Sequence, residues 1–232
     1  MNQWELFCAQ FITKGGYKTA LRGLWITIEI AVIGLVIGIV LGTLIALVRV
    51  MPKTNKLARV LDAICNIYVG FFRGTPMVVQ LLVFYYVMLP LMGIRMSSVV
   101  VAITVFGLNS GAYISEIMRA GILSVDPGQM EGGRSVGLSY GTTMLKIVIP
   151  QAVKNILPTM GNEFITLIKE TAIVGYVGAV DITKAFQDQG SNSYEYMIPY
   201  LVMALLYIVI VAAIASLIKL MERSLKKSDR RN

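Results

Sequence analysis

The sequence has no histidine and only two cysteines among its 232 residues. The absence of histidine excludes a Ser-His-Asp triad, a histidine acid–base site and a histidine-ligated metal. Cys8 and Cys65 lie far apart in the sequence, so they form neither a disulfide framework nor a metal-binding pattern. We therefore expect the chain itself to bind no metal ion and no cofactor.

Charged residues are also few, at 15% of the chain against about 25% in an average soluble domain. Hydrophobic residues reach 56%, and the mean hydropathy is +0.71. These values favour a polytopic membrane protein over a soluble enzyme. The net charge of +8 need not indicate a nucleic-acid partner in a membrane protein, because cytoplasmic loops are enriched in lysine and arginine, and no such partner is expected.

Long stretches with few charges predict an all-α fold with five transmembrane helices in one domain, residues 1–232. A helix needs about 20 apolar residues to cross a bilayer. The predicted spans are residues 24–48, 74–94, 96–118, 156–180 and 196–218. The first span begins too far into the chain, and lacks the small-residue cleavage site, to be a removable signal peptide.

The distribution of lysine and arginine predicts the orientation of these spans. With the N-terminus outside, 14 of these residues fall on the inner side and 5 on the outer side. Because positive loops stay in the cytoplasm, the N-terminus is expected outside and the C-terminus inside. The long loop 120–155 is then cytoplasmic.

The first span carries small residues four positions apart, at Gly34, Gly38, Gly42 and Ala46. They share one helix face and allow close approach of another helix. Packing within one subunit is the favoured interpretation, and a seam between two subunits is the alternative.

An amphipathic helix is predicted between the first two spans. Its apolar stripe consists of Leu57, Leu61, Ile64, Tyr68 and Phe72, and it suits a membrane interface or the side of the bundle. Gly74 and Pro76 predict that this helix stops and that the second span begins near Pro76.

Two of the predicted spans carry polar residues on one helix face. Asn109, Tyr113 and Glu116 in the third span indicate either hydrogen bonds between helices or a polar pathway. In the fourth span, Glu163, Thr166 and Glu170 share a face, with Lys169 beside them. Three charges facing lipid would cost about 8–10 kcal/mol, which favours a substrate or ion path over a purely structural ion pair.

The cytoplasmic segment 126–150 contains turn residues at Pro127 and Gly128. A short helix is predicted from Glu131 to near Gly137, and a second short helix is expected to stop at Pro150. Two short helices on a cytoplasmic loop form a good docking surface, although a loop that only connects two spans is the more common case.

This segment resembles the EAA loop of bacterial ABC-importer permeases, with the pattern E-A-A, three residues, G, nine residues, I-x-L-P. Here the pattern is Glu131-Gly132-Gly133, then Gly137, then Ile147-Val148-Ile149-Pro150, so glycines replace both alanines. Segments 71–76, 111–116, 161–165 and 167–171 are similar to the FFRGTP, GAY-x-x-E, GNEF and L-x-K-[DE]-T segments of polar amino-acid permeases. The chain thus resembles the histidine/glutamine/arginine/cystine permease group of type I importers over about residues 20–220.

The resemblance implies a multi-pass subunit of a transport complex in the bacterial inner membrane. It implies a second permease, identical or related, two cytoplasmic subunits that bind ATP and Mg²⁺, and an extracytoplasmic binding protein that delivers an amino acid. The chain has no G-x-x-x-x-G-K-[ST] motif, so ATP hydrolysis is expected on the partner and no enzymatic activity on this chain. The resemblance places a coupling helix in the loop, and the residues expected at the contact with the ATPase are Asp126, Pro127, Glu131, Gly132, Gly133, Arg134, Gly137 and Pro150.

A zwitterionic substrate needs an anionic group for its ammonium and donors for its carboxylate. Glu163 is the candidate for the ammonium, and Asn109, Ser110, Tyr113 and Thr166 are candidates for hydrogen bonds. Glu116 and Glu170 are candidates for a cationic side chain, which favours a polar or basic amino acid.

A stand-alone secondary transporter or channel, with the fourth-span charges as its ion path, is the alternative function. A membrane-embedded enzyme is the least favoured class, because no catalytic constellation is present.

Overall fold

The computed structural model describes residues 2–229, with side chains to Arg223, and all regular structure in that range is helical. Four residues counted for the orientation, Lys226, Lys227, Arg230 and Arg231, have side chains outside the described part. The all-α fold is confirmed.

The helices follow one another with short connections. In chain order they are α1 Gln3–Cys8, α2 Gly16–Val50, α3 Lys56–Gly74, α4 Met77–Val83, α5 Leu89–Leu91, α6 Ser98–Leu123, α7 Pro127–Ser135, α8 Tyr140–Thr143, α9 Ile149–Glu170, α10 Ile182–Ser193 and α11 Met197–Asp229. π-Helical turns at Ala9–Thr13, Phe84–Met88 and Met144–Val148 follow α1, α4 and α8, and a 3₁₀ turn at Thr171–Val177 follows α9.

Within residues 2–229, three helices are long and apolar enough to cross a membrane, namely Gly16–Val50, Ser98–Leu123 and Met197–Arg223. Lys56–Gly74 and Met77–Leu91, which are bent by 105° to one another, make a fourth span when they are counted together. The chain is therefore a multi-pass membrane protein, whereas the count of five spans and the side of each terminus stay predictions.

The segment of the predicted fourth span is interrupted within the structure. The segment 156–180 is not one continuous helix, because α9 ends at Glu170 and the chain continues in a 3₁₀ turn. The Thr171 hydroxyl donates to the Ile168 carbonyl oxygen at 2.7 Å, which supports a local tight turn over further α-helix. Gly178, at φ +82°, then closes the turn in a backbone conformation that suits glycine.

The small-residue ridge of α2 packs on α6 inside this chain, which confirms the favoured interpretation. A Cβ atom at Gly38 would lie 2.6 Å from Ser110 Oγ, and one at Gly42 would lie 2.7 Å from Ile114 Cγ2. Gly38 lies against Ser110 and Gly42 against Ile114, so the residue numbers of α2 and α6 increase in the same direction along the contact and the two helices run parallel. Their N-terminal ends therefore lie at one end of the bundle, and α7 follows at the other end.

The amphipathic helix was predicted with nearly correct bounds, and α4 begins directly after Pro76. Its stripe is only partly covered by the chain: Leu57, Leu61 and Ile64 are exposed. Tyr68 is half-buried, and its hydroxyl donates to the Leu108 carbonyl oxygen of α6. The helix is thus held to the bundle through its C-terminal half.

Candidate functional site

Glu163, on α9, faces α6 near the middle of the bundle. Its Oε1 atom accepts a hydrogen bond from Ser110 Oγ at 3.4 Å, and Ser110 is fully buried. Ser110 is held in place by Gly38 of α2, whose missing side chain leaves room for it. Among the described side chains, no lysine or arginine nitrogen lies within ion-pair distance of Glu163, so its ionised form lacks a fixed counter-charge.

Two other residues of the predicted face lie further along α9. The Thr166 hydroxyl donates to the Asn162 carbonyl oxygen at 3.1 Å, so its proton is used within the helix. Glu170 is half-buried at the C-terminal end of α9, while Lys169 is exposed. Thr166 thus keeps only its acceptor capacity, and Glu170 is a second carboxylate on the side of Glu163.

Asn109 forms a structural hydrogen-bond network rather than an open polar face. Its Nδ2 atom donates to the Phe72 carbonyl oxygen at 3.2 Å and to Gln80 Oε1 at 2.9 Å. Gln80, which the sequence analysis missed, donates in turn to the Phe72 and Thr75 carbonyl oxygens at 2.8 and 3.0 Å. These bonds stabilise the bend between α3 and α4, so the donors of Asn109 are not available to a substrate.

Glu116, a candidate partner for a cationic side chain of the substrate, already has cationic partners within the protein. Its carboxylate contacts Arg49 of α2 at 2.5 Å, Arg119 at 3.0 Å and Arg73 of α3 at 3.9 Å. The Arg73 guanidinium also lies 5.3 Å from the centre of the Tyr113 ring, a cation–π distance. The Glu116 carboxylate therefore links α2, α3 and α6 through ion pairs, and its negative charge is neutralised within the protein.

Sequence reasoning missed this arginine cluster because its members come from distant parts of the chain. The one local signal is the spacing of Glu116 and Arg119, which share a helix face. Arg49 and Arg73 reach the carboxylate only because α2 and α3 pack beside α6.

The loop 124–148 presents the short helix α7, which begins at Pro127 and not near Glu131 as predicted. The earlier start follows from its capping, because the Asp126 carboxylate accepts from the Gly128 N–H at 2.8 Å and proline suits the first helical position. The predicted end is confirmed: α7 stops at Ser135, and Gly137 takes the left-handed conformation at φ +88°.

The second short helix was expected to stop at Pro150, but the helical path continues through this residue. A π-helical turn at Met144–Val148 joins α8 to α9, and Pro150 lies in the first turn of α9. A wider turn accommodates proline because the ring clashes with the carbonyl four residues earlier in a regular helix. The loop and the helix that carries Glu163 are therefore mechanically continuous.

The two glycines that replace alanines have different surroundings. A Cβ atom at Gly132 would meet nothing within 4 Å, whereas one at Gly133 would lie 2.4 Å from Thr143 Cγ2. Gly133 is buried and faces α8, while Glu131, Gly132 and Arg134 are exposed. This arrangement leaves one face of α7 open for a partner and uses the other to hold the return segment.

Comparisons with known proteins agree with this geometry. Residues 34–227 match the family described as "Binding-protein-dependent transport system inner membrane component". The arginine transport system permease protein ArtQ of Bacillus subtilis is 38% identical over 90% of this chain and 93% of its own length. The putative glutamine transport system permease protein GlnP of Rickettsia bellii is 38% identical over 88% of this chain and 91% of its own.

Solved structures show the same architecture. A chain of the crystal structure of an amino acid ABC transporter with histidines has a TM-score of 0.84 and 36% identity, covering 92% of this chain and 98% of that one. A chain of the MetNI methionine ABC transporter, in an inward-facing conformation, has a TM-score of 0.75 at 20% identity. The second likeness concerns the fold alone.

Proposed function

Because the chain belongs to the family of inner-membrane components of binding-protein-dependent transport systems, we propose that it is the permease subunit of an ATP-driven amino-acid importer. The observation that carries the proposal is its similarity, over about nine tenths of its length, to permeases named for arginine and glutamine. A polar or basic amino acid is the substrate class that fits both names and the carboxylate of Glu163.

The permease would receive the amino acid from an extracytoplasmic binding protein and pair with a second permease, either identical or related. ATP and Mg²⁺ would be bound by separate cytoplasmic subunits. We assign the contact with those subunits to α7, the turn that follows it and the π-helical turn Met144–Val148. Val136 and Leu145 are 78% and 66% exposed, and the charged residues Glu131 and Arg134 of α7 are exposed as well. Exposed apolar residues with charged neighbours are typical of a docking surface.

The substrate ammonium would lie against Glu163. A carboxylate without a fixed cation is costly in a membrane-embedded position, and a bound ammonium lowers that cost. Ser110 and the free acceptor of Thr166 would orient the ligand, and Glu170 would accept a cationic side chain. The ATPase contact at α7 is followed in the chain by α8, the π-helical turn and α9, which carries Glu163. Movement of the partner ATPase would therefore be transmitted to Glu163 through these connected helices.

Uptake of labelled L-arginine and L-glutamine by proteoliposomes that contain the whole complex tests this function. The variant Glu163→Gln keeps the shape and removes the charge, and Glu195→Gln is a control outside the helices. We expect Glu163→Gln to abolish uptake or to shift it away from arginine, while complex yield and basal ATP hydrolysis persist. Unchanged uptake of every amino acid tested would remove Glu163 from the path.

A further inference from the structure

A strip of α6 stays open between α3 and α9, which both pack on this helix. Tyr113 marks the strip, because it is 37% exposed whereas its neighbours Asn109, Ser110, Ala112 and Ile114 are buried. The Tyr113 ring is thus the floor of a groove that has α3 as one wall and α9 as the other. We call it the Tyr113 groove.

Arg73, near the end of α3, brings positive charge to one wall. Its guanidinium carbon lies 5.3 Å from the centre of the Tyr113 ring, and the side chain is 44% exposed. The distance of 3.9 Å to Glu116 exceeds that of a hydrogen bond, and both oxygens of Glu116 already accept from Arg49 and Arg119. Among the described residues, the N–H groups of Arg73 therefore have no hydrogen-bond acceptor.

Glu163 brings negative charge from the other wall. Its Oε1 atom contacts Ser110 Oγ, and Ser110 precedes Tyr113 by three positions on α6. Residues at this spacing are neighbours on a helix surface, with about 5–6 Å between their Cβ atoms. Arg73 and Glu163 thus approach the same turn of α6 from two different helices. No ion pair joins them in the described part of the chain.

Two opposite charges that face one groove without pairing favour a ligand that carries both signs. A simple cation would neutralise Glu163 alone, and a simple anion would neutralise Arg73 alone. A zwitterion neutralises both and adds no net charge, which matters where the dielectric constant is low. In an α-amino acid a single carbon atom separates the ammonium from the carboxylate, and a guanidinium binds a carboxylate through two parallel hydrogen bonds.

We propose that Arg73 binds the α-carboxylate of the substrate while Glu163 holds the ammonium, so that the head group lies across Tyr113. The inference rests on the proposed function and deepens it, because it makes the free α-carboxylate a requirement of the permease itself. The Tyr113 ring keeps the guanidinium of Arg73 in place through the cation–π contact. The permease then distinguishes amino acids from plain amines independently of the binding protein.

Equilibrium dialysis of the purified complex of permease and ATPase, without the binding protein, tests this assignment. The labelled probes are L-arginine and L-glutamine, each compared with the amine that remains when its α-carboxylate is removed, namely agmatine or 4-aminobutanamide. We expect the wild type to bind the amino acid at least about tenfold more tightly than the amine. Arg73→Gln should weaken binding of the amino acid about tenfold or more and leave binding of the amine unchanged. Glu163→Gln should weaken both, since both probes keep the ammonium.

Two other arginines provide matched controls. Arg95→Gln removes an exposed charge from the loop before α6 and should change neither affinity. Arg119→Gln takes another arginine from the Glu116 carboxylate, so it measures any effect that passes through this ion-pair cluster. The preference for the amino acid over the amine should persist in Arg119→Gln. Arg73→Lys keeps the charge but loses the two parallel hydrogen bonds, and it should bind the amino acid with intermediate affinity.

Equal affinities of the wild type for the amino acid and the amine would overturn the proposal. This result needs no variant, so the test stays decisive if Arg73→Gln fails to assemble. Equal weakening of both probes by Arg73→Gln would also overturn it, because a structural role does not distinguish them. Failure of the proposed function looks different: the wild-type complex would show no saturable binding of either amino acid, and both proposals would be overturned.

Discussion

Replacing Gly132 or Gly133 of α7 by alanine should have opposite effects on the local stability of this helix. Alanine is favoured over glycine inside a helix by about 1 kcal/mol. At Gly132 the added methyl group meets nothing within 4 Å, so the full gain is expected. At Gly133 the methyl group would lie 2.4 Å from Thr143 Cγ2, and such overpacking costs about 1–3 kcal/mol.

Hydrogen exchange of the α7 amides, followed by mass spectrometry, measures this difference directly, because local opening governs exchange. Gly132→Ala should slow exchange about fivefold, since 1 kcal/mol corresponds to that factor. Gly133→Ala should leave exchange unchanged at best and speed it by up to about 30-fold, for a net cost of up to about 2 kcal/mol. Adding Thr143→Ser, which removes the clashing methyl group, should restore part of the protection.

The same two variants can also be compared for the coupling of ATP hydrolysis to amino-acid transport. If α7 is the ATPase contact, Gly133→Ala should raise the number of ATP molecules hydrolysed per amino acid transported, and Gly132→Ala should not. Equal exchange rates in the two variants would refute the packing of α7 on Thr143. Altered exchange with normal coupling in the Gly133→Ala complex would place the ATPase contact elsewhere.

Two further substitutions test the interior of the bundle. Arg49→Leu removes the shortest ion pair of the Glu116 carboxylate. Because both side chains are largely buried, we expect thermal unfolding to show that the protein is destabilised by about 3 kcal/mol. An unchanged melting temperature would contradict the role of this ion pair. Gly38→Ala places a methyl group 2.6 Å from Ser110 Oγ, so it should disturb both α2–α6 packing and the Ser110–Glu163 contact and reduce uptake. Gly70→Ala, where a methyl group meets nothing within 4 Å, is its control and should transport normally, so equal uptake in both variants would argue against the packing effect.

Much of the fold could be predicted from the sequence, because membrane helices leave a local signal. Apolar runs of sufficient length must form helices in lipid, where each backbone polar group needs an internal partner. The ridge from Gly34 to Ala46 likewise predicted a close helix contact, because only small residues allow it. The break at Pro76 and the turn at Gly137 were predicted from the conformations that proline and glycine prefer.

The parts that could not be predicted depend on contacts between distant residues. Glu116 and Glu163 look alike in sequence, each a carboxylate in an apolar helix. Among the described side chains, however, Glu116 contacts three arginines, whereas Glu163 accepts a hydrogen bond from Ser110. No local pattern distinguishes them, because Arg49 and Arg73 reach Glu116 through the packing of α2 and α3. The same holds for Gln189, whose amide is fixed by Gly16 across 173 positions of sequence. The sequence by itself determined that the long apolar segments are helical and that the chain breaks at Pro76 and Gly137. The tertiary structure alone decided which buried charges are neutralised, because charge pairing depends on distance in space.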